Sequence, residues 1–303
     1  MASLLVTGSI GIDCVQTPHG QVEDALGGSA VYFALAASAQ GPVRLVGVAG
    51  EDFPERFTAM LSDRPIDLAG LERRKGSKTF RWRGQYAGAM NEATTLATDL
   101  NVLAEKGPTI PAGFRDSRYV FLANTHPTLQ RELLSQLAGP ELVVCDTMNL
   151  WIRTEREELL LTLGMVDGVV LNDAEARMLT GIDNLVGAGQ KILTYGPEFV
   201  VIKKGEHGVM LVGREGIFVL PAMPMYDVVD PTGAGDSFAG GMMGYLAGQN
   251  RVDTMALRTA MAWGTVTASF TIQDFSVGRL LNLGRAAIMA RLAEYRDMLR
   301  FEE

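Results

Sequence analysis

The residues best placed to do chemistry lie in one run, Asp230-Pro231-Thr232-Gly233-Ala234-Gly235-Asp236-Ser237-Phe238-Ala239-Gly240-Gly241. It follows an apolar, strand-like segment, Ile217 to Leu220, and opens a helical stretch through Met242, Met243, Tyr245 and Leu246. Small residues from Gly233 to Gly235 let the main chain turn tightly and bring N–H groups close to a ligand. The first N–H groups of a helix lack intrahelical partners and sit at the positive end of its dipole, so they suit a phosphate. Asp236 falls in that first turn. A carboxylate repels a resting phosphate, so its use there is to take a proton from an attacking hydroxyl. The structural alternative is a helix cap, a common place for aspartate.

Other polar residues stand where strand-like runs end. Ser3 to Gly8 reads as a buried strand, and Asp13 lies just beyond it, able to accept from ligand hydroxyls or to cap a turn. Gly27-Gly28-Ser29 precedes an Ala- and Leu-rich helix from Ala30 to Ala39, with Ser29 as the expected N-cap. Asp146-Thr147-Met148-Asn149 closes another strand. Asn172-Asp173-Ala174-Glu175 offers oxygen ligands of the kind Mg²⁺ takes through water, and the same residues spell a capping box. Lys203-Lys204-Gly205-Glu206-His207-Gly208 runs from a strand into a glycine turn.

These residues need a scaffold, and the pattern supplies one. From Tyr119 onward, apolar runs (Tyr119–Ala123, Leu142–Cys145, Gly168–Leu171, Phe199–Ile202) alternate with helical stretches, the rhythm of an open parallel sheet. Ligands of such sheets bind beyond the carboxyl ends of strands, which selects Asp146, Asn172, Lys203 and the glycine-rich loop as neighbours. Thr79 to Tyr86 alternates strictly, with Phe80, Trp82 and Tyr86 on one face and Arg81, Arg83 and Gln85 on the other. Thr94 to Leu100 is its expected partner. No repeat or linker divides the chain, so residues 1–303 read as a single domain.

With net charge −8 and pI about 5.1, the chain lacks the basic face of a nucleic-acid binder. Cys14 and Cys145 form no disulfide framework, and His19, His126 and His207 show no metal-ligand spacing. No basic leader or long apolar run marks a signal peptide or membrane span, and a cytoplasmic location is expected. No GxxxxGK[ST] stretch is present, which disfavours a P-loop enzyme.

The run from Asp230 to Gly241 closely resembles the C-terminal signature of the PfkB (ribokinase-like) family of carbohydrate and nucleoside kinases. The N-terminal glycine pair, the Asn172–Glu175 quartet and the Lys203–Gly208 turn are similar to the family's remaining motifs, in order. The resemblance implies a three-layer α/β fold: a mostly parallel sheet flanked by helices, with a small β lid from about 12–24 and 78–100. It implies ATP-dependent phosphorylation of a hydroxyl on a small sugar-like substrate. Asp236 would be the base, and the amides of Gly233, Ala234 and Gly235 would hold the phosphoryl group. Asp13, Gly27, Gly28, Asn91 and Asn149 would bind substrate, and Lys203, Gly205, Gly208 and Thr232 the nucleotide. Mg²⁺ would lie near Asn172 and Glu175 through water, and K⁺ near Asp230. A homodimer through the lid is a further expectation.

Two departures bear on the acceptor. The family usually has asparagine where this chain has Tyr32, and arginine where it has Trp151. Tyr32, Phe33, Trp82 and Trp151 could form a stacking surface, which makes a nucleoside the alternative substrate. A ligand-binding protein without catalysis is the second alternative.

Overall fold

The computed structural model describes residues 2–301. The first half contains β1 (Leu4–Thr7), β2 (Gly11–Thr17), β3 (Gly20–Gly27), α1 (Ser29–Ser38), β4 (Val43–Gly50), α2 (Glu55–Ser62), β5 (Ile66–Arg74), β6 (Phe80–Tyr86) and β7 (Ala93–Asp99). Next come β8 (Tyr119–Leu122), α3 (Pro127–Leu134), β9 (Leu142–Asp146), α4 (Asn149–Thr154), α5 (Arg156–Leu163), β10 (Gly168–Asn172), α6 (Asp173–Thr180) and α7 (Leu185–Leu193). The rest is β11 (Phe199–Lys203), β12 (Val209–Gly213), β13 (Gly216–Leu220), α8 (Ala234–Gln249), α9 (Thr254–Thr271), α10 (Gly278–Leu281) and α11 (Arg285–Met298).

Nine strands form the main sheet in the order β13-β12-β11-β10-β9-β8-β1-β4-β5. All its pairs are parallel except β11–β12 and β12–β13. The inner strands are largely apolar because both of their faces are covered, as parallel sheets require. Alternation sorts their side chains: Leu4, Val6, Val144, Val170 and Val201 join one core with α1, α8, α9 and α11. Leu5, Val143, Val169, Val200 and Ile202 join the other with α3, α5, α6 and α7. The result is the expected three layers.

A second sheet, ordered β3-β2-β6-β7, is built from the segments around Asp13 and Trp82. Strand β5 was not expected from sequence. Its run Ile66-Asp67-Leu68-Ala69-Gly70-Leu71-Glu72-Arg73-Arg74 carries four charges, which an edge strand tolerates and which hide the apolar period. Ser29 does not cap α1; Gly28 takes that place with φ +102°, and Ser29 is the first helical residue. Among the described residues, no helix is long and apolar enough to cross a membrane.

Helix α8 is closely packed on both flanks, against α1 and α9. A Cβ at Gly240 would lie 2.4 Å from the carbonyl oxygen of Phe33 in α1, and one at Gly241 would lie 2.6 Å from Oγ1 of Thr267 in α9. Gln40 adds a hydrogen bond from Nε2 to the Gly241 carbonyl at 2.7 Å. Mid-helix glycines cost about 0.5–1 kcal/mol each relative to alanine, so their presence here marks close approach. Gly240→Ala forces a backbone shift, and urea unfolding should show a loss of about 1–3 kcal/mol.

Candidate active site

The site assembles at the carboxyl ends of β9, β10 and β11, where the amino end of α8 comes in from the chain after β13. Gly233 caps α8 in the left-handed conformation (φ +75°), and a Cβ there would lie 2.2 Å from the Tyr32 ring. Asp230, 1% exposed, holds the loop from below. Its Oδ1 accepts from the Thr232 N–H (2.9 Å) and its Oδ2 from the Ser276 N–H (3.0 Å). Ser276, at φ +54°, donates in turn from Oγ to the Leu26 carbonyl (2.6 Å). The loop is therefore tied to two distant segments. The Ala234 N–H is bonded to the Pro231 carbonyl at 3.1 Å, while those of Gly233 and Gly235 have no main-chain acceptor among the described residues. Two free amides and a helix start make a fitting cradle for an anion.

Asp236 occupies the first turn of α8 and retains some accessible surface, although it lies deep among protein atoms. Burial pushes its carboxyl up to about 7; the charge of Lys203 opposes the shift and that of Glu175 adds to it. Among the described residues, no side chain hydrogen-bonds to it. Lys203 ends β11, in register with Asn172 on β10, and its Nζ would lie 2.7 Å from a Cβ at Gly235. Glycine at 235 is thus what admits the ammonium group to the loop.

Asn172 and Glu175 form the capping box: Asn172 Oδ1 accepts from the Glu175 N–H (2.8 Å), and Glu175 Oε2 from the Asn172 N–H (2.7 Å). Burial raises the Glu175 carboxyl against the pull of Lys203. Asp146, at the end of β9, was selected by the strand-end rule but assigned no role from sequence. It is buried, its Oδ1 has no partner among the described residues, and burial drives it well above the usual carboxylate range, again against Lys203. The oxygen donors of Asp146 and Glu175 fit a hard divalent ion. Among the described residues, no three acidic, histidine or cysteine side chains lie close enough to hold one alone.

Asp13 lies beside this group. A Cβ at Gly27 would lie 1.9 Å from its Oδ2, so that glycine is required by the carboxylate. Burial raises Asp13 to about 7, the charges of Asp230 and Asp236 contribute, and a hydrogen bond from Gly28 opposes. On β6, the Tyr86 hydroxyl reaches Oγ1 of Thr232 at 3.4 Å. The small sheet therefore touches the anion loop directly.

Several expected residues lie elsewhere. Asn91 donates to Oε1 of Glu206 at 2.9 Å and lies against Gly205, at the Lys203–Gly208 turn. Asn149 is exposed at the start of α4. Gly208 is glycine because a Cβ would lie 2.1 Å from the Leu220 carbonyl, a packing reason. Tyr32 and Phe33 offer no stacking surface: Tyr32 is 1% exposed beneath Gly233, and Phe33 stacks on Phe121 at 4.5 Å in the core. Trp151 donates from its indole to Oδ1 of Asn124 (2.9 Å) at the same end of the sheet. Tyr86 and Ser276 were missed as site residues because their contacts arise only from the fold. A concavity of about 500 Å³ lies at the opposite end of the main sheet, lined by Asp167, Phe218 and Arg258 among others, away from this chemistry.

Residues 1–282 match the family described as pfkB family carbohydrate kinase. The chain is 32% identical over 260 residues to a cytidine kinase of Thermococcus kodakarensis, covering 83% of this chain and 90% of that one. Its fold is similar to that of the Methanocaldococcus jannaschii nucleoside kinase (TM-score 0.76, 19% identity, covering 97% and 99% of the two chains). It is also similar to a Vibrio cholerae fructokinase double mutant solved with fructose, ADP and potassium ion (TM-score 0.79, 18% identity, covering 96% and 98%). The signature around Asp236, the three-layer fold and these likenesses together make the chain a member of the PfkB family of ATP-dependent carbohydrate and nucleoside kinases.

Proposed function

We propose that the chain is a nucleoside kinase, transferring the γ-phosphoryl group of ATP to a ribose hydroxyl with Asp236 as the base. Phosphoryl transfer to a sugar-like or nucleoside alcohol follows from family membership; the choice of a nucleoside is the finer step. The observation that carries it is the likeness to a cytidine kinase over nine-tenths of that enzyme's length. It departs from the simple sugar favoured by the motifs alone.

The chain's own residues supply positioning and charge, which is most of what this reaction asks of a protein. Asp13 accepts from ribose hydroxyls and orients the acceptor. Asp236 takes the proton from the attacking oxygen as that oxygen approaches the γ-phosphorus in line. The Gly233 and Gly235 N–H groups, with the α8 amino end, stabilise the charge on the moving group. Lys203 and the Gly205 turn lie along the phosphates. Mg²⁺, when bound with ATP, would be held near Asp146, Asn172 and Glu175, largely through water, and would neutralise phosphate charge. Asp230 is assigned first to the loop. Each of its oxygens accepts one N–H, and a second lone-pair direction on each remains for K⁺. The small sheet acts as a lid over the acceptor, and a cytoplasmic location would give the reaction its ATP.

Asp236→Asn should lower kcat by at least about 100-fold while ATP binding, read by calorimetry, changes little; near-normal turnover would reject the assignment. A carboxyl raised to about 7 is ionised only above that pH, so wild-type kcat should fall as pH drops below about 7. In the asparagine variant that limb should vanish from the residual rate. ADP release with Mg–ATP across cytidine, uridine, adenosine, inosine, ribose and fructose tests the acceptor. The best nucleoside should exceed the best free sugar in kcat/KM by about 100-fold or more. Turnover confined to free sugars would overturn the nucleoside reading and leave the kinase itself standing.

A further inference from the structure

The inner face of the small sheet carries a flat aromatic surface that the phosphoryl chemistry does not use. Strands β2 and β6 are parallel, and their register sets Asp13 directly opposite Trp82. Residues opposite each other share a face, so the indole is on the same side of the sheet as the Asp13 carboxylate. Two residues along, Gly84 pairs with Val15, and Tyr86 on the same face meets Thr232 of the anion loop. The face carrying Trp82 is therefore the one turned toward the site, while Arg81, Arg83 and Gln85 project from the other.

The indole is held in place from two directions. A Cβ at Gly84 would lie 2.1 Å from Cη2 and 2.2 Å from Cζ2 of Trp82, so the ring lies down on the bare backbone of that residue. Gly84 is buried for this reason, although its neighbours on β6 are not. Nε1 donates to Oγ1 of Thr95 at 3.2 Å, which fixes the ring's rotation. Thr95 faces Gly84 because the register of β6 on β7 shifts between Arg83 and Gly84, skipping Leu96. One face of the indole thus covers Gly84 with its Nε1 edge toward β7, and the other stands open on the side of the sheet that also carries Asp13.

We infer that Trp82 is the stacking platform for the planar base of the nucleoside, with Gly84 and Thr95 as the residues that lay it flat. The inference rests on the nucleoside reading above and adds the means of recognition. A carboxylate that accepts from sugar hydroxyls and an aromatic plane carried by the neighbouring strand, on the same face of the sheet, suit a ligand with a polyol at one end and a flat ring at the other. Stacking tolerates any base, so the platform selects nucleosides as a class over free sugars and does not choose among bases.

The test uses Trp82→Leu, Trp82→Phe and Gly84→Ala in the full-length enzyme, with cytidine and ribose as acceptors. The platform predicts that the ratio of kcat/KM for cytidine to that for ribose falls by about 10-fold or more in Trp82→Leu. Trp82→Phe should recover part of it. Gly84→Ala, which keeps the tryptophan but displaces it, should lower the ratio too. Cytidine should also quench tryptophan emission in the wild type and do so far less in Trp82→Phe, where Trp151 and Trp263 remain. An unchanged ratio in Trp82→Leu, or an equal loss for cytidine and ribose, overturns the platform. The wild-type acceptor panel reports separately on the nucleoside reading, so the two can fail independently.

Discussion

One ammonium group, that of Lys203, acts on three carboxyls taken largely out of water. Asp146, Glu175 and Asp236 are each pushed up by burial, and in each case Lys203 is the principal opposing influence. Isolated buried carboxylates would simply bind protons. With the lysine among them, Asp236 is left near 7, where a base is neither always protonated nor too weak to take a proton. The position of Lys203 depends in turn on glycine at 235, because any side chain there would meet the ammonium group. The spacing of the glycine-rich signature is therefore a statement about electrostatics as well as about turning the chain.

The acceptor half is arranged differently. Asp13 has no lysine or arginine among the causes of its shift; burial and two further acids, Asp230 and Asp236, raise it, and one main-chain hydrogen bond from Gly28 opposes them. A carboxyl in that position gains most by accepting hydrogen bonds from ligand hydroxyls, because it finds little compensation within the protein. Tyr32 contributes from beneath. Its ring supports Gly233, so the residue that replaces the family's asparagine has become part of the loop's foundation and not of the pocket wall.

Much of this was legible in the sequence, for identifiable reasons. The strands of the main sheet announce themselves as apolar runs because both faces are buried, and the strand-end rule then leads to Asp146, Asn172 and Lys203. The signature string fixes the helix start and Asp236. What remained hidden depends on packing. Strand β5 carries too many charges to read as a strand, and the pairing of Ser276 with Asp230 joins residues 46 apart in sequence. Aromatic residues were the least readable class. Tyr32 and Phe33 went to the interior and Trp82 to a sheet face, and only three-dimensional neighbours distinguish the two outcomes.

The glycines of α8 have a consequence for how such an enzyme can change. With Phe33 main chain on one flank and Thr267 on the other, the helix bearing Asp236 is packed without room for even a Cβ at Gly240 or Gly241. The base is a fixed post. Any adjustment to a new alcohol must therefore be made on the strands opposite, where exchanging a ring or a small residue leaves the helix untouched. A lineage built on this frame can be re-aimed from one acceptor to another by editing a few positions of a peripheral sheet, while the phosphate side is inherited unaltered.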